Sequence, residues 1–181
     1  MELRPSERIE GVAIAELEAF GDERGWFAES FRSEWFPHIS WIELQCNRSE
    51  SRAGTVRGLH YHHQQVDYWQ CLAGTLRVGL YDLRRSSPTR GQGEILQLDQ
   101  RHPQGLFIPC GVAHGFLALT DVTLTYVVNR YYAGGADEYS LAWDDPQLGL
   151  DWEVGAGEVL VSSRDKASPR LGQLNEADLP E

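Results

Sequence analysis

Short segments that alternate apolar and polar residues with period two, set apart by turn signals, constrain this chain most. In Leu76 to Asp82, Leu76, Val78 and Leu80 share one face, and Asp82 ends it. In Val122 to Asn129, Val122, Leu124, Tyr126 and Val128 share one face, and threonines dominate the other. A period of two is the mark of a strand with one face buried, not of a helix. Turns fall between such runs at Ser86-Ser87-Pro88, Arg101-His102-Pro103, Pro109-Cys110-Gly111 and Gly134-Gly135. Val12 to Leu17, Trp26 to Phe31, Ile42 to Cys46 and Thr55 to Tyr61 also read as extended. Between the last two, Asn47 to Gly54 reads as a polar loop. The pattern predicts an all-β sandwich or barrel. A single helical turn is expected at Ser33 to Pro37, with Ser33 as its cap. The 181 residues are expected to form one domain, 1–181, with a polar C-terminal arm from about 155 whose last residues fray.

Composition sets further bounds. A net charge of −11 argues against general binding to nucleic acid, which needs a basic surface. It leaves room for a local basic pocket that holds a phosphorylated ligand. Cys46, Cys71 and Cys110 show no ligand-like spacing and read as reduced, buried thiols. Met1 to Gly11 is polar, unlike a signal sequence, and no apolar run nears the roughly 18 residues of a membrane span. A soluble, cytoplasmic protein with no membrane partner is expected.

The chemistry concentrates at Arg57 to Gly74, where His60, His62 and His63 fall within four positions. His60 and His62 alternate with Tyr61, so on a strand they share a face. Such a histidine is either a general base or a hydrogen-bonded rim residue. Tyr126, on an otherwise apolar face, is either a core filler or a general acid aimed into a cavity. Asp165 is a surface acid unless the fold carries it to a histidine. Arg24, Arg57 and Arg84, with Gln45 and Asn47, could hold phosphate, because guanidinium forks match phosphate oxygens. Phe20, Trp26, Phe27, Tyr131 and Tyr132 are either core aromatics or a platform on which a base stacks.

Taken in order, several motifs resemble the dTDP-4-dehydrorhamnose 3,5-epimerases and their 3-epimerase relatives, of the cupin type. They are Gly21-Asp22-Glu23-Arg24-Gly25 with Glu29-Ser30, Gln45-Cys46-Asn47-Arg48-Ser49, and Arg57-Gly58-Leu59-His60-Tyr61. Asp82-Leu83-Arg84, Ile108 to Phe116, Tyr126 with Tyr131-Tyr132, Trp143 to Pro146, and Ser163-Arg164-Asp165 follow. The resemblance implies a cupin jelly-roll barrel with short peripheral helices, usually a homodimer. It implies epimerisation, without a cofactor or metal, of a nucleotide-diphosphate sugar, a dTDP-linked 4-keto-6-deoxy sugar, at C3, C5 or both. By the same likeness His60 is the base, Asp165 its orienting partner and Tyr126 the proton donor on the opposite face. Arg24, Glu29, Gln45, Asn47 and Arg57 match positions that hold the nucleotide diphosphate. His114 and Tyr132 match further positions of the pocket.

Two features sit uneasily with that likeness. Strict alternation puts Arg57 and His60 on opposite faces of a strand, unless Gly58 marks a bulge. Asp67 stands where the family usually has lysine, and His62 where it usually has glutamine. An anion about 4 Å from an enolate costs roughly 4 kcal/mol at an effective dielectric near 20. Asp67 is therefore expected to turn away or to pair with a cation such as an arginine. His60-x-His62, Asp67 and Gly74, with His114 in Pro109-x-Gly111-x-x-His114, also resemble the general cupin metal pattern. A metal-dependent cupin enzyme is thus one alternative reading. A non-catalytic nucleotide-sugar binding protein, disabled by the aspartate, is another.

Overall fold

The computed structural model describes residues 1–154 and 159–181. In chain order the strands begin with β1 (Glu2–Pro5), β2 (Ala13–Glu16), β3 (Ala19–Asp22), β4 (Gly25–Ala28), β5 (Gln45–Ser51), β6 (Thr55–Tyr61) and β7 (Asp67–Ala73). They continue with β8 (Thr75–Asp82), β9 (Gly93–Asp99), β10 (Gln104–Ile108), β11 (Val112–Ala118), β12 (Val122–Val128), β13 (Tyr139–Ser140) and β14 (Leu160–Val161). The one α-helix among the described residues, α1 (Ser163–Lys166), is a single turn. One sheet runs β1-β2-β10-β7-β12-β5; the other runs β13-β6-β11-β8-β9, with β14 added parallel to β6. The all-β jelly-roll expectation holds.

Alternation explains the core. Leu76, Val78 and Leu80 of β8 meet Trp69 and Cys71 of β7, Leu106 and Ile108 of β10, and Leu124 of β12 between the sheets. The outer faces are covered too. Phe36 and Phe107 stack at 4.4 Å over one sheet, while Leu141, Leu148, Trp152 and Leu179 cover the other. Under that double cover β11 is buried along its whole length, His114 included. The β3–β4 hairpin stands apart as its own two-stranded sheet, with Phe20, Trp26 and Phe27 all more than half exposed.

Several local expectations are corrected. The strand expected over Ile42 to Cys46 starts at Gln45 and runs through the polar stretch to Ser51. Its inward residues Gln45, Asn47 and Ser49 line cavities rather than core, so polarity there does not signal a loop. The turn at Ser33–Trp35 is a 3-10 turn flanked by an extended Arg32, and Ser33 does not cap it. Cys46 is exposed, unlike Cys71. The C-terminus does not fray: Leu179 and Pro180 are buried, and the Arg85 amide donates to the Pro180 carbonyl. The expected start of the arm, at about 155, lies outside the described residues.

Arg84 serves the scaffold instead of a ligand. It grips the buried Asp82 carboxylate through Nε at 2.9 Å and a terminal nitrogen at 2.8 Å. The Ser87 and Thr89 hydroxyls donate to the same carboxylate at 2.6 and 2.7 Å. Burial alone would raise the Asp82 carboxyl, but these hydrogen bonds outweigh it and hold the group below the usual carboxylate range. A depressed carboxyl stabilises the fold above its unfolded value and loses that stabilisation as pH falls through its folded value. Asp82→Asn should therefore cost about 3 kcal/mol in urea denaturation at neutral pH, the scale for breaking a buried pair. The gap to wild type should narrow as pH drops below about 4. Equal stability at neutral pH would show that the pair contributes nothing.

Candidate active site

Strand β6 carries His60, and a break in its pairing aims it. Along β11, His114 faces His60 while Phe116 faces Arg57, so three steps on β6 match two on β11. Gly58 absorbs the extra residue at φ +106°, where a Cβ would come within 2.7 Å of the Gly115 backbone. Arg57 and His60 consequently line one cavity of about 620 Å³. The parity conflict is resolved by this bulge.

The C-terminal segment closes the other side. After pairing with β6, β14 leads to Ser162, whose Oγ accepts from the Asp165 amide at 3.0 Å and caps α1. The cap presents Asp165 to His60, with Oδ1 2.8 Å from Nε2. A carboxylate only accepts, so His60 Nε2 carries the proton and Nδ1 keeps its lone pair. Burial would raise the Asp165 carboxyl, but hydrogen bonds with His60, Ser162 and the Gly58 amide hold it low. It therefore stays ionised.

Tyr126, on β12, lines the same cavity from the opposite sheet. Burial, and then the charge of Asp67, push its phenol above the usual range, so it remains a proton donor at neutral pH. Tyr126 and Glu138 also line a second cavity of about 930 Å³. There Gln45 donates to Asn47 at 2.7 Å and accepts from the Tyr132 amide at 3.1 Å. Tyr131 and Tyr132 are exposed beside it.

Arg24 and Glu29 are not brought to either cavity within one chain. They sit on or just after the projecting β3–β4 hairpin. Arg24 folds back onto Asp22 of its own turn, and Glu29 pairs with Arg32 at 3.2 Å. His114 is buried, edge-to-face with Trp69, and is not among the residues lining either cavity. None of the five aromatics expected either in the core or as a platform is a core residue.

Asp67 neither turns to solvent nor meets an arginine. It is only 3% exposed, accepts from Trp69 Nε1 at 3.2 Å and from Gln65 Nε2 at 3.1 Å. Nε2 of His62 and Nε2 of His114 each lie 3.9 Å from its Oδ2. Their other ring nitrogens donate to main-chain carbonyls, His62 Nδ1 to Asp137 and His114 Nδ1 to Val112. Burial pushes His114 down to about 4, so its ring is neutral at physiological pH. Asp137 was not singled out in the sequence. Its carboxylate accepts from the amides of His63, Gln64 and Gln65 and so fixes the loop that bears His62. An aspartate just after Gly134-Gly135 was the only available signal.

A half-buried histidine held by a buried carboxylate thus shares one cavity with a phenol, an arrangement suited to proton transfer. The dTDP-4-dehydrorhamnose 3,5-epimerase profile matches residues 6–173. The dTDP-4-dehydrorhamnose 3,5-epimerase of Sinorhizobium fredii is 37% identical over 178 residues, covering 92% of this chain and 90% of that protein. The Legionella pneumophila 3,5-epimerase, solved with dTDP-4-keto-L-rhamnose, superposes with a TM-score of 0.91 at 33% identity, covering 99% of this chain and 97% of that one. ChmJ, a 3'-monoepimerase of Streptomyces bikiniensis solved with dTDP-quinovose, superposes at 0.87 with 34% identity, covering 97% and 91%. The chain belongs to the dTDP-4-dehydrorhamnose 3,5-epimerase family.

The site's hydrogen bonds predict two imidazole tautomers. At alkaline pH, where imidazoles are neutral, ¹⁵N NMR should find His60 protonated on Nε2, and His62 and His114 protonated on Nδ1. Asp165→Asn should lose the fixed His60 tautomer and leave the other two unchanged. A wild-type His60 protonated on Nδ1 would break the assignment.

Proposed function

We propose that the protein epimerises a dTDP-linked 4-keto-6-deoxy sugar at C3, C5 or both. The observation that carries this reading is the His60–Asp165 contact opposite Tyr126 in a member of this family. The 4-ketone acidifies hydrogens on C3 and C5. His60 Nδ1 takes such a proton, and Asp165, ionised and buried, keeps the ring in its working tautomer and stabilises the imidazolium that forms. Tyr126 returns a proton from the opposite face, which inverts the carbon. Arg57, Gln45, Asn47 and Tyr132 hold the nucleotide diphosphate, with Arg57 as the fork for phosphate oxygens.

The proposed assembly is a homodimer. Within one chain the β3–β4 hairpin presents Phe20, Trp26 and Phe27 to solvent, and Arg24 and Glu29 reach no cavity. A second copy gives the hairpin an apolar seat and brings Arg24 and Glu29 to a nucleotide site. Sedimentation should give twice the chain mass, and Trp26→Ser with Phe27→Ser should shift it toward the monomer. A monomeric wild type would exclude the pairing.

Incubation with dTDP-4-keto-6-deoxyglucose in deuterium oxide, followed by NMR, tests the chemistry. Label should enter at C3, C5 or both; absence of label at both carbons would leave a binding protein. His60→Ala should slow entry by about 100- to 10,000-fold, the scale for loss of a general base. Tyr126→Phe should keep label entry but invert poorly. Full inversion by that variant would return Tyr126 to core packing.

A further inference from the structure

Beside the second cavity this chain builds a convergence of buried acceptors. His62 Nε2, His114 Nε2 and an Asp67 carboxylate oxygen lie within 4.8 Å of one another, and all three residues are buried. Both imidazoles have spent their Nδ1–H on main-chain carbonyls, so each points a lone pair inward at an anion. The Gln65 amide alone bridges two of the three acceptors, 3.2 Å from His62 Nε2 and 3.1 Å from Asp67. His114 Nε2, at 3.9 Å from the carboxylate, is beyond hydrogen-bond reach of it.

We propose that His62, Asp67 and His114 bind one divalent first-row transition-metal ion, which supplies the cation beside the substrate's 4-keto oxygen. The role of the ion rests on the epimerase reading above; the site rests on geometry alone. Two imidazoles and one carboxylate are a ligand set such ions favour, and three protein ligands leave coordination positions open. Metal–ligand bonds near 2.1 Å set ligand atoms roughly 3 to 4 Å apart, so the 3.9 Å pairs need only small movements. The Nδ1–H bonds to main-chain carbonyls are the outer support that metal-bound histidines carry. Asp137 provides it twice, through its carbonyl to His62 and through its carboxylate to the loop.

The position suits the chemistry. His62 and Asp67 line the second cavity, which meets the first at Tyr126 and Glu138. His60 is not one of the converging groups; its Nε2 is committed to Asp165. Base and ion can therefore coexist, and the aspartate that would repel an enolate becomes the ligand of its counter-charge. Loss of the C3 or C5 proton to His60 moves the electron pair onto the ketone oxygen, beside the ion, with no change of oxidation state.

The test uses the full chain, stripped with a chelator and dialysed against Co²⁺, Zn²⁺, Mn²⁺ or Ni²⁺. One ion per chain should bind, with visible Co²⁺ bands and a raised melting temperature. Asp67→Asn and His114→Gln, checked for fold by circular dichroism, should each weaken binding beyond the roughly 10- to 100-fold that loss of an outer partner costs. Deuterium entry into the 4-keto sugar should fall at least about tenfold on stripping and return with metal. Wild type that binds no ion, or no better than the variants, overturns the site. Full exchange by stripped protein overturns the role. Stoichiometric metal without exchange in any form sinks the epimerase reading and leaves the site standing.

Discussion

One irregular pairing governs the working end of this molecule. Regular alternation along β6 would send Arg57 and His60 to opposite faces. The extra residue at Gly58 turns both toward the same cavity. Gly58 also lets β6 approach Gly115 of β11 so closely that a side chain on either strand would collide. Two returning segments, β13 and β14, also pair with β6. The second delivers α1, and with it Asp165, to His60. Arg57 and His60 thus share one cavity through one local departure from regular structure.

Around that point, hydrogen bonds set which nitrogen of each of three rings carries hydrogen. Each imidazole has one nitrogen tied, and what it is tied to separates two kinds of histidine. His60 is tied to a carboxylate and keeps a lone pair on Nδ1 for the cavity. His62 and His114 are tied to main-chain carbonyls and turn Nε2 toward Asp67, with the Gln65 amide meeting His62. The three lie close together on or beside two adjacent strands, yet they are fitted for different work. Tyr126 shares the cavity with the first kind and feels the charge of Asp67 through its raised phenol.

The alternation of β8 and β12 and the full extent of β6 were legible, because apolar residues on one face follow from burial against the opposite sheet. β5 was not: its inward face lines cavities, so Gln45, Asn47 and Ser49 look like loop residues. The His60–Asp165 contact spans 105 positions in the chain, and only likeness to known epimerases pointed to it. Spacing brought His62, Asp67 and His114 into one pattern but wrongly included His60, since spacing cannot tell which nitrogen is already engaged. The hairpin aromatics defeat composition altogether, because core packing and surface presentation use the same residues.

The central claim is that catalysis takes place between His60 and Tyr126. A crystal structure with a dTDP-sugar that lacks the 4-keto group, and so cannot react, tests it directly. The sugar ring should lie between His60 Nδ1 and the Tyr126 hydroxyl, with C3 or C5 within about 3.5 Å of the histidine, a distance suited to reaction. Its C4 substituent should point toward Asp67. A sugar bound wholly in the second cavity, with His60 facing only solvent, would contradict the account.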